Sequence, residues 1–407
     1  MTLLKMAVRN LFRYRRRTLI TASALAYGII MFIFVDSFMS GANEETYRNL
    51  REHDTGDAQI LASGWWEKKE ELSLDYVIED PAFIEDLLQD DITWSPHIDF
   101  PADMLFYRSD GYVEDGNLPV RVRAVDPLRV REIYTQFDDM EEGNMFGPDD
   151  SGVLLGSWFA EKLGARVDSF LLLQVKTRYG AHDVIELTVG GIIHTSDMTL
   201  NRTAVYIPLN VADEYLEMDG AVTGYTLKAD DDEVSSLRDA VGGRARVLGF
   251  YELTEDFKAM ADISDSIMFV ILLFLFIIAA VGVSNTMMMG VFERKYEVGM
   301  MRSMGMKDSA ILKTFIFEAM GIGFLGVLIG LALSIPLNVF LVNHGLDYTF
   351  MFEEFDAGYR TTGVLRGVWK TGSFLACIIL GLILSGIMAV FPTRRILKKS
   401  ISDNLRF

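Results

Sequence analysis

The chain has 407 residues, half of them apolar, with a mean hydropathy of +0.22 and a formal net charge of −19. It is too long for one small domain and too apolar for an ordinary soluble one. A single cysteine, Cys377, excludes an intramolecular disulfide, and the five histidines, at 53, 97, 182, 194 and 344, have no metal-ligand spacing with one another or with that cysteine.

Residues 1–17 form a basic leader, with Lys5, Arg9, Arg13, Arg15, Arg16 and Arg17 and no acidic residue. The apolar run at 18–40 has the length of a first membrane span, about 20 residues. A signal peptide is the competing reading, but its apolar region is shorter, about 7 to 15 residues. Asp36 is expected near the outer end of this span, in reach of water.

Residues 41–265 read as a mixed α/β domain. Strands are predicted at Gln59–Ala62, Val120–Val125, Phe170–Lys176 and Val184–Ile193, and short helices at Pro81–Leu88 and Val211–Leu216. Turn signals stand at Ser109-Asp110-Gly111, Glu114-Asp115-Gly116-Asn117 and Gly147-Pro148-Asp149-Asp150. Both ends of the domain are expected to be helical stalks continuous with the membrane. Phe257, Met260, Ile263 and Ile267 recur at helical spacing, and neither Gly nor Pro occurs from Tyr251 to Val281. Trp65 and Trp66 suit core or interfacial burial better than exposed anchoring. Asn201-Arg202-Thr203 matches the glycosylation pattern by chance.

A second span follows at 266–290, a short charged segment at 291–314, a third span at 315–343, a loop at 344–370, a fourth span at 371–393 and a tail at 394–407. Gly326 and Gly330 form a small-residue pair in the third span, suited either to packing within one subunit or to a dimer face. Pro336 is expected to kink the outer half of that span. Basic residues concentrate in the leader, at 294–313 and after the fourth span, which places all three on the cytoplasmic side, with both termini inside and residues 41–265 outside. That outer stretch carries 47 acidic and 19 basic side chains, a net of −28. It would repel nucleic acid and favour basic partners; a merely well-solvated surface fits equally well.

No phosphate-binding loop, nucleophile elbow or zinc-protease helix occurs in the chain. Any ATP-driven step therefore belongs to another polypeptide. Attention falls on the run from Ser284-Asn285-Thr286-Met287 through Phe292-Glu293-Arg294 and Glu297-Val298-Gly299 to Arg302-Ser303-Met304-Gly305. An apolar helix turns there into a charged amphipathic one. Glu293, Arg294 and Glu297 place charge of both signs around one turn, and Val298, Met301 and Met304 recur at three-residue spacing. Gly299 and Gly305 allow close approach or end the helix.

This run resembles the coupling segment of the MacB/FtsX superfamily of ABC transporter permeases, and the chain as a whole resembles their lipoprotein-releasing (LolC/LolE) type. Ala7-Val8-Arg9-Asn10-Leu11, Ala124-Val125-Asp126-Pro127, Gly152-Val153-Leu154-Leu155-Gly156, Val189-Gly190-Gly191-Ile192, Tyr206-Ile207-Pro208-Leu209, Phe391-Pro392-Thr393-Arg394-Arg395 and Asn404-Leu405-Arg406 extend the resemblance nearly end to end. Thr195-Ser196 departs from it where lipoprotein-releasing members often show Thr-Gly.

The resemblance implies an α-helical membrane protein with four transmembrane helices and a large mixed α/β extracytoplasmic domain on helical stalks, in the inner (cytoplasmic) membrane. It implies a non-catalytic subunit with no cofactor of its own, ATP and Mg being held by a partner ABC ATPase dimer. A second permease chain, identical or paralogous, a lipoprotein substrate and a periplasmic carrier are the further partners. Glu293, Arg294, Glu297, Val298, Gly299, Met301, Arg302, Met304 and Gly305 would then couple to the ATPase. MacB-like efflux and an FtsX-like signalling module are the alternatives.

Overall fold

The computed structural model describes residues 15–88, 92–106, 118–138, 140–148, 150–347 and 363–400. The leader up to residue 14, the turns expected at 109–111 and 114–117, and the 404–406 motif lie outside the described residues. The chain forms two compact units. One comprises Met1–Ala42, Met260–Asp347 and Val364–Phe407; the other comprises Asn43–Ala259 and Tyr348–Gly363.

The first unit is built on helices α1 (Arg15–Leu50), α2 (Glu255–Glu293), α3 (Lys295–Ser303), α4 (Asp308–His344) and α5 (Thr371–Leu397). Among the described residues four of these, all but α3, are long and apolar enough to cross a bilayer, with 18-residue windows of mean hydropathy 2.2, 3.0, 2.3 and 2.7. Their shared interior is Leu25, Ile29 and Phe32 of α1 with Leu272 and Phe276 of α2, Val327 of α4 and the buried Cys377 of α5. The glycine pair settles against α1 of the same chain. A Cβ on Gly326 would lie 2.8 Å from Leu25 Cδ2 and 3.0 Å from the Ala22 carbonyl oxygen, and one on Gly330 would lie 3.0 Å from Ile29. Helix α4 continues through Pro336.

Asp36 is a correction. It is only 4% exposed, accepts a 2.5 Å hydrogen bond from the Ser373 hydroxyl, and has Lys370 Nζ at 3.8 Å. The same ammonium lies 2.9 Å from Asp265. A carboxylate in an apolar bundle stays there because partners on α5 and just before it replace water.

The second unit begins with the last turns of α1 and a π-helical turn, Arg51–Thr55. Its strands are β1 (Ala58–Ala62), β2 (Thr93–Phe106), β3 (Leu118–Val125), β4 (Met140–Gly143), β5 (Gly152–Gly156), β6 (Phe170–Lys176), β7 (His182–Ile193), β8 (Val205–Pro208), β9 (Gly224–Lys228) and β10 (Ala245–Gly249). The order is β10-β1-β9-β2-β3-β8-β5-β7-β4, and β6 pairs with both β2 and β7. The pairings β2-β3-β8-β5-β7-β6-β2 therefore close on themselves as a six-stranded ring. In β6, Leu171, Leu173 and Val175 face inward while Phe170 and Lys176 face out. They meet Met104, Val153, Ile185 and Ile207 in one continuous core.

Short helices cover the sheet. Helix Asp231–Val241 starts with a capping box, Asp230 accepting from the Glu233 amide and Glu233 from the Asp230 amide, and three acidic residues in its first turn oppose the helix dipole. Trp65 is buried in the core and Trp66 packs on its rim. Asn201 is 2% exposed and hydrogen-bonded through both side-chain atoms to the Thr195 backbone, a poor position for a glycan.

Candidate functional site

The charged segment after the second span forms a bracket. Helix α2 ends at Glu293, and Arg294 leaves helical geometry with φ −102° and ψ 18° before α3 resumes at Lys295. At the far end Met304 caps α3, and Gly305 takes φ +87°, a left-handed conformation that glycine adopts without strain, so the chain can turn back into α4.

The residues of the bracket divide by direction. Arg294 points inward. It is 5% exposed, and its guanidinium makes two parallel hydrogen bonds to Glu318, which is 6% exposed on α4; the Arg294 Nη1 to Glu318 Oε2 distance is 3.0 Å. The guanidinium also lies 5.6 Å from the Phe315 ring centroid. Such bidentate geometry is what makes burial of two charges tolerable.

Arg302 is a second fastener. Its Nε lies 2.9 Å from Asp308 Oδ1 at the start of α4, and its Nη1 donates to the Lys399 carbonyl at 2.8 Å. Glu293 lies 3.6 Å from Arg17 of α1. Val298 and Gly299 are buried, and Val298 shares a core with Ile311 and Phe315 of α4 and Ile396 of α5.

What α3 presents outward differs from the expectation. Met301 is half-buried and Met304 is 78% exposed, so the three-residue series does not make one packing face. The exposed series is Phe292, Tyr296, Met300 and Met304, four residues apart on one side. Arg294 and Arg302 both find carboxylates inside their own chain and fasten α3 to α4. Glu297 lines, with Met300, Met304 and Phe315, a pocket of about 210 Å³ between α3 and α4. Sequence reasoning missed Glu318 altogether, although an acidic residue within an apolar segment is itself a signal.

A second polar assembly lies in the α/β unit, at the π-helical turn that continues α1. The carbonyl of Asp54 accepts from Arg123 Nη1 at 2.9 Å and from the Tyr134 hydroxyl at 2.5 Å, and that of His53 accepts from Gln136 at 3.0 Å. Gln59 donates to the Thr55 carbonyl at 3.1 Å. Thus the orphan carbonyls of the helix end are capped by side chains of the domain. Arg123 is held in turn by buried Asp99, its register partner on β2, at 2.7 and 3.0 Å. Burial alone would raise the Asp99 carboxyl, but the guanidinium groups of Arg123 and Arg121 outweigh it and hold it well below the usual range. His97, on the same strand, is pushed down to about 4, chiefly by burial.

Four helices able to cross a bilayer, an α/β domain inserted after the first and a short helix fastened to its neighbours after the second describe a polytopic membrane protein. The family model for the MacB-like periplasmic core domain matches residues 18–243, and that for the FtsX-like permease C-terminal domain matches residues 269–401. The chain belongs to the MacB/FtsX superfamily of ABC transporter permeases.

Relatives include the lipoprotein-releasing system transmembrane protein LolC of Neisseria meningitidis, 24% identical over 71% of this chain and 73% of that protein. LolE of Haemophilus influenzae is 22% identical over 61% and 63%. The macrolide export ATP-binding/permease protein MacB of Escherichia coli is 22% identical over 81% of this chain and 51% of its own length.

Proposed function

We propose that this chain is the non-catalytic membrane subunit of an inner-membrane ABC complex that releases lipoproteins toward a periplasmic carrier. A separate ATPase pair, holding ATP and Mg, docks on α3 from the cytoplasm; both termini are cytoplasmic, the α/β domain is periplasmic, and a second permease chain completes the assembly. The observation that carries the reading is the geometry of α3, fastened inward by Arg294, Val298 and Arg302 while Tyr296, Met300 and Met304 face out. Such a helix can take a push without peeling away from the bundle. The likeness to LolC over most of both chains favours lipoproteins as the substrate class.

Reconstitution with the ABC ATPase that copurifies with this chain tests it. ATP is expected to drive a radiolabelled lipoprotein from the vesicles into a soluble carrier. Retention of the lipoprotein, together with adaptor-dependent export of a small molecule, would support the second reading, MacB-like efflux, which the match over 81% of the chain favours.

A further inference from the structure

The proposed function leaves open which helix receives the push. Helix α2 is continuous with α3 in sequence, and the simplest path would run along it into the domain. The local geometry argues otherwise. Arg294 interrupts the helix between α2 and α3, so a force on α3 meets a joint before it meets α2. The other neighbour is gripped at two points. Arg294 holds Glu318, ten residues into α4 and so about 15 Å along it, and Arg302 holds Asp308 at its start. Between the two, Val298 packs with Ile311 and Phe315.

Helix α4 is in turn locked to α5. A Cβ on Gly323 would lie 2.8 Å from the Gly381 carbonyl oxygen and 2.5 Å from Ser385 Oγ, so the two helices approach as closely as a glycine allows. A second glycine stripe on α4, Gly326 and Gly330, rests on α1, whose continuation is the π-helical turn capped by the domain.

We propose that the buried Arg294–Glu318 pair is the positioning element that delivers movement of α3 to α4, and through α4 to α1, rather than directly along α2. The proposal rests on the reading of α3 as the ATPase-docking helix. Neither residue touches a nucleotide or a substrate; both act through α4.

The test places nitroxide labels at Phe324→Cys on α4 with either Ile278→Cys on α2 or Tyr27→Cys on α1, all exposed apolar positions, in a Cys377→Ser chain reconstituted with the ABC ATPase that copurifies with it. Pulsed electron resonance is expected to show a nucleotide-dependent change of about 2 Å in the α2–α4 distance and none in the α1–α4 distance, since α4 carries α1 with it. That change is expected to vanish in Arg294→Glu and in Glu318→Arg and to return when both are present. Arg294→Met with Glu318→Leu fills the same space without charge; it is expected to insert and stay stable but to lose the change, an outcome that a merely structural role for the pair does not predict, and it serves equally should the swapped pair fail to insert. A distance change that survives in the single variants or in the apolar pair overturns the proposal. An unaltered chain that neither retains the ATPase through gel filtration nor shows any change sinks the parent reading as well.

Discussion

Among the described residues two arginines, Arg123 and Arg294, are buried against carboxylates, and their surroundings differ. Arg123 sits in a sheet, directly across from Asp99, and its remaining hydrogen bonds go to the Asp54 backbone and carboxylate, in the turn that continues α1, and to the Tyr134 hydroxyl. Arg294 sits in a helix bundle, 24 residues from Glu318, and spans a break between two helices to reach a third. The first pair is welded into a ladder that would persist without it. The second is itself the connection. A buried ion pair adds little stability over a well-packed apolar replacement, but losing one partner is costly because the other charge is stranded. The contrast separates a pair that holds a joint rigid from one that joins moving parts.

The largest expected effect tests that contrast directly. Asp99→Asn strands the Arg123 guanidinium and is expected to cost about 3 to 5 kcal/mol, as is Glu318→Gln for Arg294. The double replacements should then diverge. Arg294→Met with Glu318→Leu is expected to return within about 1 kcal/mol of the parent. Arg123→Met with Asp99→Leu is expected to stay about 1 to 3 kcal/mol below it, because one donor to the Asp54 carbonyl is gone. Urea titration of the full chain, followed by proteolytic protection of each unit, measures both; equal recovery would erase the distinction.

A pH titration sharpens the sheet side of the comparison. His97 is buried beside Asp99 and stays neutral in the folded chain down to about pH 4, whereas the unfolded imidazole takes a proton near 6.5. The unfolded state therefore binds more protons between those values, and stability that is full above pH 6.5 is lost as pH falls toward 4. At 1.36 kcal/mol per pH unit the loss approaches about 3 kcal/mol. Asp99 remains ionised throughout this window. Unfolding of the His97→Gln chain is expected to be flatter across it, and an unchanged slope would remove His97 from the account.

Much of this organisation was legible in the sequence, for identifiable reasons. Strand β6 and helix Pro81–Leu88 have the bounds that alternation and helical spacing predict, since each buries one regular face. Strand β2 was not legible. Pro96 and Pro101 argue against a strand of 14 residues, and they are tolerated here because each pairs on one side only, Pro96 with β9 before the β3 ladder starts and Pro101 with β3 before the β6 ladder starts. The closing of the β ring is a long-range pairing that no local pattern encodes. In the candidate site the break at Arg294 and the turn at Gly305 fall inside the motif that drew attention. The inward course of Arg294 and Arg302 depended on partners 24 and 6 residues away, and charge pattern alone points such side chains to water. Asp36 and Glu318 carried a signal that was underread, a lone carboxylate in an apolar stretch.

Packing of the spans offers a smaller effect. Gly326→Leu would drive a side chain into Leu25 and the Ala22 carbonyl and is expected to cost about 1 to 3 kcal/mol by overpacking. Gly290→Ala, with nothing within 4 Å of its added Cβ, is expected to be neutral or slightly stabilising, since alanine is the better helix former. Thermal unfolding in detergent compares the two; equal effects would mean that the α1–α4 contact is looser than its geometry.

The smallest effect on stability falls on the outer face of α3, and it is the one that bears most on function. Tyr296, Met300 and Met304 are exposed and make no part of the bundle core, so their replacement by serine is expected to change unfolding by no more than about 0.5 kcal/mol each. Residues on an exposed ridge contribute little to their own fold and much to whatever covers them. If the ridge is the ATPase contact, the triple variant should insert normally and lose ATP-driven release by at least tenfold, the reverse of the apolar Arg294/Glu318 replacement, which alters no exposed surface. Loss of ATPase retention on gel filtration in the ridge variant, with retention in the pair variant, would separate docking from transmission within a segment of a dozen residues. Retention in both, with release intact, would place the contact elsewhere on the chain.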